Sequence, residues 1–344
     1  MKFDIIVGNP PYQQKEGGAN KNTALPIYNH FVDIAKKMNP SFISMIMPTR
    51  WYAGGRGLDD FREHMLNDIH ISELHDFLKP ELIFQNTNNR GGICYFLWDK
   101  KYDNSKSLTQ VYSYKEDLIP KAVKRSLKTI NSEIFIRHSI GVSIIDKVIN
   151  NPKSESLSKH ISAAKAFGFR TYFITDKRFR VNSNGLKTPI KCYGRAGKVG
   201  YVDKLEIDTH KDWIDVWKVY VPESNNIGTE LNDDNQNSFV GRPGSICTET
   251  YLVIGAELSL DEFSSNNLSV YLRTRFAKFM HSLAKISQHG TSKTYNFVPL
   301  QNFTSESDID WNKSIEDIDN QLYIKYNLKK EEVEFIESMI KPMN

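Results

Sequence analysis

The chain has 344 residues, 25% of them charged and 40% hydrophobic, with 45 Lys and Arg against 41 Asp and Glu and a formal net charge of +4. That length exceeds one ordinary compact domain, so two lobes are expected, each large enough to bury a core. The longest apolar runs, such as Phe42 to Pro48, are far shorter than a bilayer requires, and the start Met1-Lys2-Phe3-Asp4 lacks a signal-peptide core, so no membrane span and a cytoplasmic location are expected. Cys94, Cys192 and Cys247 lie far apart with no CxxC pair, and the nine histidines make no HExxH, His70 and His75 included. Buried thiols and no metal site are expected.

The first hundred residues alternate strand-like and helix-like patterns, the signature of an α/β sheet with parallel strands. Phe3 to Val7 reads as a strand ending at Gly8, Ile27 to Met38 as a helix, Phe42 to Met47 as a strand closed by Pro48. Leu58 to Met65 reads as a short helix entered through the turn Gly54-Gly55-Arg56-Gly57, which lacks the third glycine of a dinucleotide-binding GxGxxG. Strands at Ile71 to Phe77 and Ile93 to Trp98 flank the polar stretch Gln85 to Gly92. From Lys100 to Leu157 the pattern is charged, with helices expected at Lys115 to Arg125 and Val142 to Asn150. Aromatic-rich strands follow at Phe167 to Thr175, Val199 to Val202, Trp213 to Val221 and Thr250 to Ile254, interrupted by the polar stretch Glu223 to Asn237. Helices are expected again over Leu268 to Ile286, from Ser314, whose Ser314-Ile315-Glu316-Asp317 has the form of a capping box, and over Lys330 to Ile340. The organisation expected is 1–105 catalytic, 106–157 a helical connector, and 158–344 a mixed β-rich and α region.

Asn9-Pro10-Pro11-Tyr12, directly after the first strand, carries the chemistry. Two prolines fix two φ angles and remove two backbone donors, leaving a stiff turn whose carbonyl oxygens point outward. An exocyclic purine amino group is a poor nucleophile because its lone pair is delocalised into the ring. The Asn9 side-chain oxygen and the Pro10 carbonyl can accept its two hydrogens and draw the nitrogen toward sp³ geometry. Tyr12 offers a face to a base rotated out of a duplex, and such stacking is worth about 1–3 kcal/mol.

Phe3 to Tyr12 resembles motif IV, with its strand, of the gamma-class N6-adenine DNA methyltransferases, especially those of type IIG restriction–modification enzymes. Leu25 to Phe31 resembles the family's next helix, which places Leu25 and Tyr28 at the edge of an S-adenosylmethionine pocket. Phe42 to Trp51 and Gly91 to Phe96 resemble later strands of the catalytic sheet, and Phe84 falls near the aromatic that holds a flipped adenine. Phe167-Gly168-Phe169-Arg170, Ser245 to Tyr251, Ser292 to Pro299, and Asp317 to Asp319 with Tyr323 to Tyr326 resemble blocks of the target-recognition region. The family binds its methyl donor through a glycine loop and an acidic strand end located before motif IV, and only eight residues precede Asn9 here. The resemblance therefore implies a partial Rossmann-like methyltransferase sheet without its cofactor half, followed by the recognition region.

Arg170, Lys191, Arg195, Lys198 and Arg242 lie among Phe167, Phe169, Tyr172, Tyr193 and Tyr201, a pattern suited to phosphate contact with stacking or to a basic surface over an aromatic core. Lys293 and Tyr295 form a second candidate for double-stranded DNA. Asp203, Glu206 and Asp208 with Lys211 are close together but do not match a nuclease pattern. The expected function is a site-specific adenine-N6 DNA methyltransferase, as a fragment or subunit completed by a separate polypeptide with the cofactor half. The alternative is a non-catalytic DNA-binding or specificity module. A protein-glutamine methyltransferase also presents Asn-Pro-Pro-Tyr, but that family lacks a long recognition region.

Overall fold

The computed structural model describes residues 3–15, 24–85, 91–114, 118–129, 132–151, 154–227, 236–285 and 288–343. The chain divides into two compact units, Met1–Ser143 and Ile144–Asn344. The first contains strands β1 (Ile5–Gly8), β2 (Gln13–Lys15), β3 (Ala24–Pro26), β4 (Phe42–Pro48), β5 (Ile71–Phe77), β6 (Ile93–Asp99), β7 (Thr109–Tyr114) and β8 (Lys121–Arg125), with helices α1 (Tyr28–Lys37), α2 (Asp59–Asn67) and α3 (Asn104–Ser107). Six strands form one sheet in the order β1-β4-β6-β5-β7-β8, and β2 pairs with β3 in a separate hairpin. β1 runs parallel to β4 and β5 parallel to β7, whereas β6 is antiparallel to both β4 and β5. The fold is thus α/β with a mixed sheet. The carboxyl ends of β1, β4, β5 and β7 share one edge, at which β6 begins, and in open α/β sheets that edge is where ligands bind.

Side-chain alternation explains which face is covered. Ile43, Met45 and Met47 of β4 and Cys94, Phe96 and Trp98 of β6 are buried on one face with Leu74 and Val111. On α1, Tyr28, Val32 and Ala35 recur at helical spacing, and on α2 Phe61 and Met65 do the same, so both helices bury a stripe in that core.

The helix expected over Lys115 to Arg125 is corrected: Lys121–Arg125 is strand β8, antiparallel to β7, and 115–117 lie outside the described residues. The lysine-rich sequence carries little intrinsic strand preference, and pairing with the edge of β7 decides its conformation. The helix expected at Val142 to Asn150 is present as α4 (Ser139–Ile149).

The second unit begins with two three-stranded sheets, built from β9 (Pro189–Tyr193), β10 (Val199–Asp203), β11 (Lys218–Pro222), β12 (Phe239–Gly241), β13 (Ser245–Cys247) and β14 (Tyr251–Ile254). Ile190, Cys192, Val202, Tyr220, Ile246 and Val253 share one core. Phe167 to Thr175 is not a strand. Gly168 is left-handed (φ +85°), Thr171–Thr175 is a 3₁₀ turn, and Phe167, Phe169 and Phe173 enter the core as a plug. The strand expected from Trp213 starts later, as β11, because Lys211–Trp213 is also a 3₁₀ turn.

Helices α5 (Glu262–Arg273), α6 (Arg275–Ala284), α7 (Ile315–Lys325) and α8 (Lys330–Met339) complete the unit. The single helix expected over Leu268 to Ile286 is two, because Thr274 turns extended and its hydroxyl caps α6 by accepting the Ala277 N–H at 3.1 Å. Ser314 caps α7 through the Asp317 N–H at 3.1 Å. No described helix is long and apolar enough to cross a membrane.

Candidate active site

Asn9-Pro10-Pro11-Tyr12 leaves the carboxyl end of β1, at the edge of the sheet where the parallel strands end. Asn9 and Pro11 are exposed, Pro10 is buried, and Tyr12 is half-buried. The Ile27 N–H donates to the Tyr12 carbonyl at 3.2 Å, which ties the loop to the entrance of α1. The Tyr12 hydroxyl oxygen is buried without a hydrogen-bond partner. Burial raises the Tyr12 pKa, with the neighbouring Cys94 thiol adding to it, so the phenol stays neutral.

Leu25, in the β2–β3 hairpin opposite Gln14, is 39% exposed, whereas Tyr28 is 1% exposed with its ring edge-on to Phe61. The Tyr28 hydroxyl and the Oδ1 of buried Asn29 also lack partners. Three orphaned polar atoms therefore sit on the Asn9 to Tyr12 loop and on the first turn of α1, to which the Ile27 N–H ties it, where a bound molecule could satisfy them.

The turn after β4 supports the same edge. Thr49 Oγ1 donates to the Gly91 carbonyl at 2.6 Å, Trp51 Nε1 reaches Cys94 Sγ at 3.4 Å, and the Tyr52 hydroxyl donates to Asp76 Oδ1 at 3.2 Å. Asp76 is 2% exposed and ion-paired to Arg137 (Nε to Oδ2, 2.8 Å). Burial pushes the Asp76 carboxyl up, and the guanidinium opposes that shift. Nothing local in the mixed sequence of β5 points to this network, which is set by the burial of Asp76 and its need for a partner. Phe84 is half-buried against Phe77, Ile93 and Tyr114 at the same edge of the sheet. β4 and β6 lie between β1 and β5, so the two strands that lead into the Asn9 and Phe84 loops are about 14 Å apart in the sheet, three strand spacings.

In the second unit, β9 and β10 pair so that Lys191 faces Tyr201 and Tyr193 faces Val199, with Arg195 and Lys198 exposed in the connecting turn. The Lys191 ammonium lies 5.2 Å from the Tyr193 ring centre. Arg170 and Arg242 flank this ribbon and face carboxylates, Glu249 at 3.8 Å and Glu262 at 2.9 Å. Lys293 is exposed in a separate 3₁₀ turn. Tyr295 is 1% exposed, its hydroxyl accepting from Gln236 Nε2 at 2.6 Å and its ring 3.8 Å from that of His281, so the structure uses it as a core residue. Asp203 accepts the Lys187 and Leu205 N–H groups, a turn-forming role. The three cysteines are buried and unpaired, and among the described residues no three His, Cys, Asp or Glu side chains are grouped as a metal would require.

Residues 1–84 match the family described as Eco57I restriction-modification methylase. An "Uncharacterized adenine-specific methylase" of Mycoplasma pneumoniae is 30% identical over 167 residues, covering 46% of this chain and 40% of that protein. Among solved structures, the type IIG restriction endonuclease BpuSI superposes with a TM-score of 0.37 at 12% identity, covering 98% of this chain and 53% of the other. The type IIL restriction–modification enzyme MmeI in complex with DNA gives 0.49 at 12% identity, covering 97% and 56%. The chain spans less than half the length of the curated relative and just over half of these two structures. By its family match and its relative, the chain is similar to the N6-adenine methyltransferases of restriction–modification systems, the family match lying at residues 1–84.

Proposed function

We propose that this chain serves a site-specific DNA adenine-N6 methyltransferase, holding an extruded adenine at Asn9 to Tyr12 while the second unit grips double-stranded DNA. The observation that carries the reading is the Asn-Pro-Pro-Tyr loop at the carboxyl end of β1, with Asn9 exposed and Tyr12 half-buried. Asn9 Oδ1 and the Pro10 carbonyl accept the two amino hydrogens, and Tyr12 stacks on the base. When bound, S-adenosylmethionine would supply an electrophilic methyl and leave as the neutral thioether with the bonding pair, and the proton lost from N6 would pass to water. With an activated amine and a good leaving group, no strongly shifted acid or base is needed at the loop. Phe84 is the proposed second face for the base.

Leu25 and Tyr28 form one edge of the methyl donor's site, and the orphaned Tyr28 hydroxyl and Asn29 Oδ1 fit a ligand with polar groups. The remainder of that site is assigned to the rest of a partial Rossmann-like sheet, in further strands that would pair with β1. β1 supports this: it is an edge strand, open to pairing by a further strand, and Ile5 and Val7 on one of its faces are 62% and 75% exposed, as expected of a sheet that a further strand and a covering layer complete. The DNA-contacting residues proposed are Arg170, Lys191, Arg195, Lys198, Arg242 and Lys293. The same open edge favours the second reading, a DNA-binding or specificity module without turnover of its own.

The test is incubation of the chain with labelled S-adenosylmethionine and random-sequence duplex DNA, alone and with the polypeptide encoded beside it, followed by nucleoside mass spectrometry. N6-methyladenine that falls at least about 100-fold in Asn9→Ala, the scale of losing a positioned oxyanion-type contact, is expected. Undiminished product in Asn9→Ala, or label on cytosine instead, would sink the proposal, and DNA binding without any methylated nucleoside would favour the specificity module.

A further inference from the structure

The second unit sorts its aromatic side chains. Phe167, Phe169 and Phe173 are buried in its core and Tyr193 and Tyr201 are half-buried, whereas Tyr172 is 69% exposed. No other described Phe, Tyr or Trp exceeds 41%. The Tyr172 ring is not carried by a loose loop. It sits in the 3₁₀ turn Thr171–Thr175, between neighbours that are each fixed. The Thr171 N–H and hydroxyl both donate to Glu249 Oε1, at 2.9 and 3.2 Å. The Phe173 N–H donates to the Arg170 carbonyl at 3.0 Å, and the Phe173 ring stacks on Phe169 with 4.0 Å between centres. The Thr175 hydroxyl donates to the carbonyl of Tyr172 itself at 2.8 Å.

Cations reach the same turn from two elements. Arg170 immediately precedes it, with a side chain 55% exposed. The tip of the β9–β10 ribbon, which carries exposed Arg195 and Lys198, packs against it: a Cβ at Gly194 would collide with Ile174 Cγ2, so glycine permits the close approach. The tip is itself stiff, with Ala196 and Gly197 both left-handed and the Gly194 N–H bonded to the Lys198 carbonyl at 2.8 Å. Phosphate contacts from such cations set affinity and register but read no base. A rigidly held tyrosine among them serves a different contact. It offers a large, stiff face that loses little conformational entropy when covered, and a ring interleaved with cations suits a nucleobase.

We infer that Tyr172 is a base-contacting residue of the second unit: its ring wedges against a base of the bound duplex while Arg170, Arg195 and Lys198 hold nearby phosphates. This rests on the reading of the second unit as the part that grips DNA. It adds a contact of another kind, because stacking on a base displaces no counterions and so does not weaken with salt as the phosphate contacts do.

The test uses the full chain and a duplex site selected by it from random-sequence DNA, with affinity measured over a range of salt. Tyr172→Ser should weaken binding at least about fivefold, the low end for one aromatic–base stack, with the salt slope and melting temperature unchanged. Tyr172→Phe keeps the face and should bind like wild type, whereas Arg170→Gln should make the slope shallower by about 0.9. The contacted base is then found with duplexes lacking one base at a time. At one position its loss should weaken the wild type at least about fivefold and Tyr172→Ser less than about twofold, the non-additivity expected of two groups in contact. Unchanged affinity in Tyr172→Ser, or equal penalties in both proteins at every position, overturns the wedge and leaves the DNA-gripping reading intact. A loss matched by Tyr172→Phe, by a shallower slope or by a lower melting temperature also overturns it, since each assigns the effect to the hydroxyl, to phosphates or to folding. A wild-type chain that binds no duplex overturns the DNA-gripping reading, and the wedge with it.

Discussion

Replacing Tyr28 by Phe removes one buried oxygen and nothing else. Tyr28 is 1% exposed, and its hydroxyl has no hydrogen-bond partner. Burial drives its pKa well above the ordinary range for a phenol, with the Cys94 thiol adding and Arg50 and the nearby Trp51 backbone amide opposing, although that amide does not meet hydrogen-bond geometry with the hydroxyl. A buried hydroxyl without a partner costs about 1–3 kcal/mol relative to water. Phe keeps the edge-on contact with Phe61, 6.0 Å between centres, and leaves a void too small for a water molecule. A net stabilisation of about 1 kcal/mol is therefore expected, equivalent to a rise of about 2–5 °C in melting temperature for a unit of this size. Circular-dichroism melts of the wild type and Tyr28→Phe measure it directly. The same substitution should weaken methyl-donor binding, since a group left unsatisfied at rest is then satisfied by the ligand. A drop in melting temperature of more than about 2 °C would show that the hydroxyl is already bonded and would refute the reasoning.

Three further outcomes follow from other parts of the molecule. Asp319, 3% exposed, accepts the Arg275 and Phe276 N–H groups at 2.9 Å each, yet burial raises its pKa from 3.8 to about 6. A carboxyl raised on folding stabilises fully below its unfolded pKa and loses that contribution as pH rises through about 4 to 6, by on the order of 3 kcal/mol. Wild type should thus gain stability relative to Asp319→Asn between pH 7 and pH 4, and parallel pH–melting curves would contradict this. Gly92→Ala should destabilise by roughly 3 kcal/mol or more, through its left-handed backbone and the 2.4 Å approach to Phe77. Gly55→Ala, with φ +78° but open space around its Cβ, should cost only about 1 kcal/mol, and equal melting temperatures for the two would discount the clash. Finally, if Arg170, Lys191, Arg195, Lys198, Arg242 and Lys293 each contact a phosphate, the logarithm of DNA affinity should fall against the logarithm of salt with a slope of about −5; a flat response excludes them.

Residue type and spacing were enough where the decisive interactions are local. The alternation in Phe42–Pro48 and Ile93–Asp99, the helical stripe Tyr28, Val32 and Ala35, and the paired prolines of the Asn9 to Tyr12 loop each act through adjacent backbone or one helix face. Phe167 and Phe169 misled because alternate aromatics look like a strand until Gly168 turns left-handed and both rings enter one core. Tyr295, expected to contact DNA, is closed into the core by Gln236 and His281, partners 59 and 14 positions away in sequence that no local pattern connects.

The sequence by itself determined the stiff turn of Asn9, Pro10, Pro11 and Tyr12 on which the proposed chemistry rests, because paired prolines after a short strand need no distant partner. Only the tertiary structure decided that Lys121–Arg125 is a strand, since its conformation is set by the edge of Thr109–Tyr114. Only it could join Asp76, Arg137, Thr49 and Gly91, which meet because antiparallel β6 starts where β4 and β5 end. Long-range pairing sets those neighbours, and the energy of burying a charge makes each depend on the others.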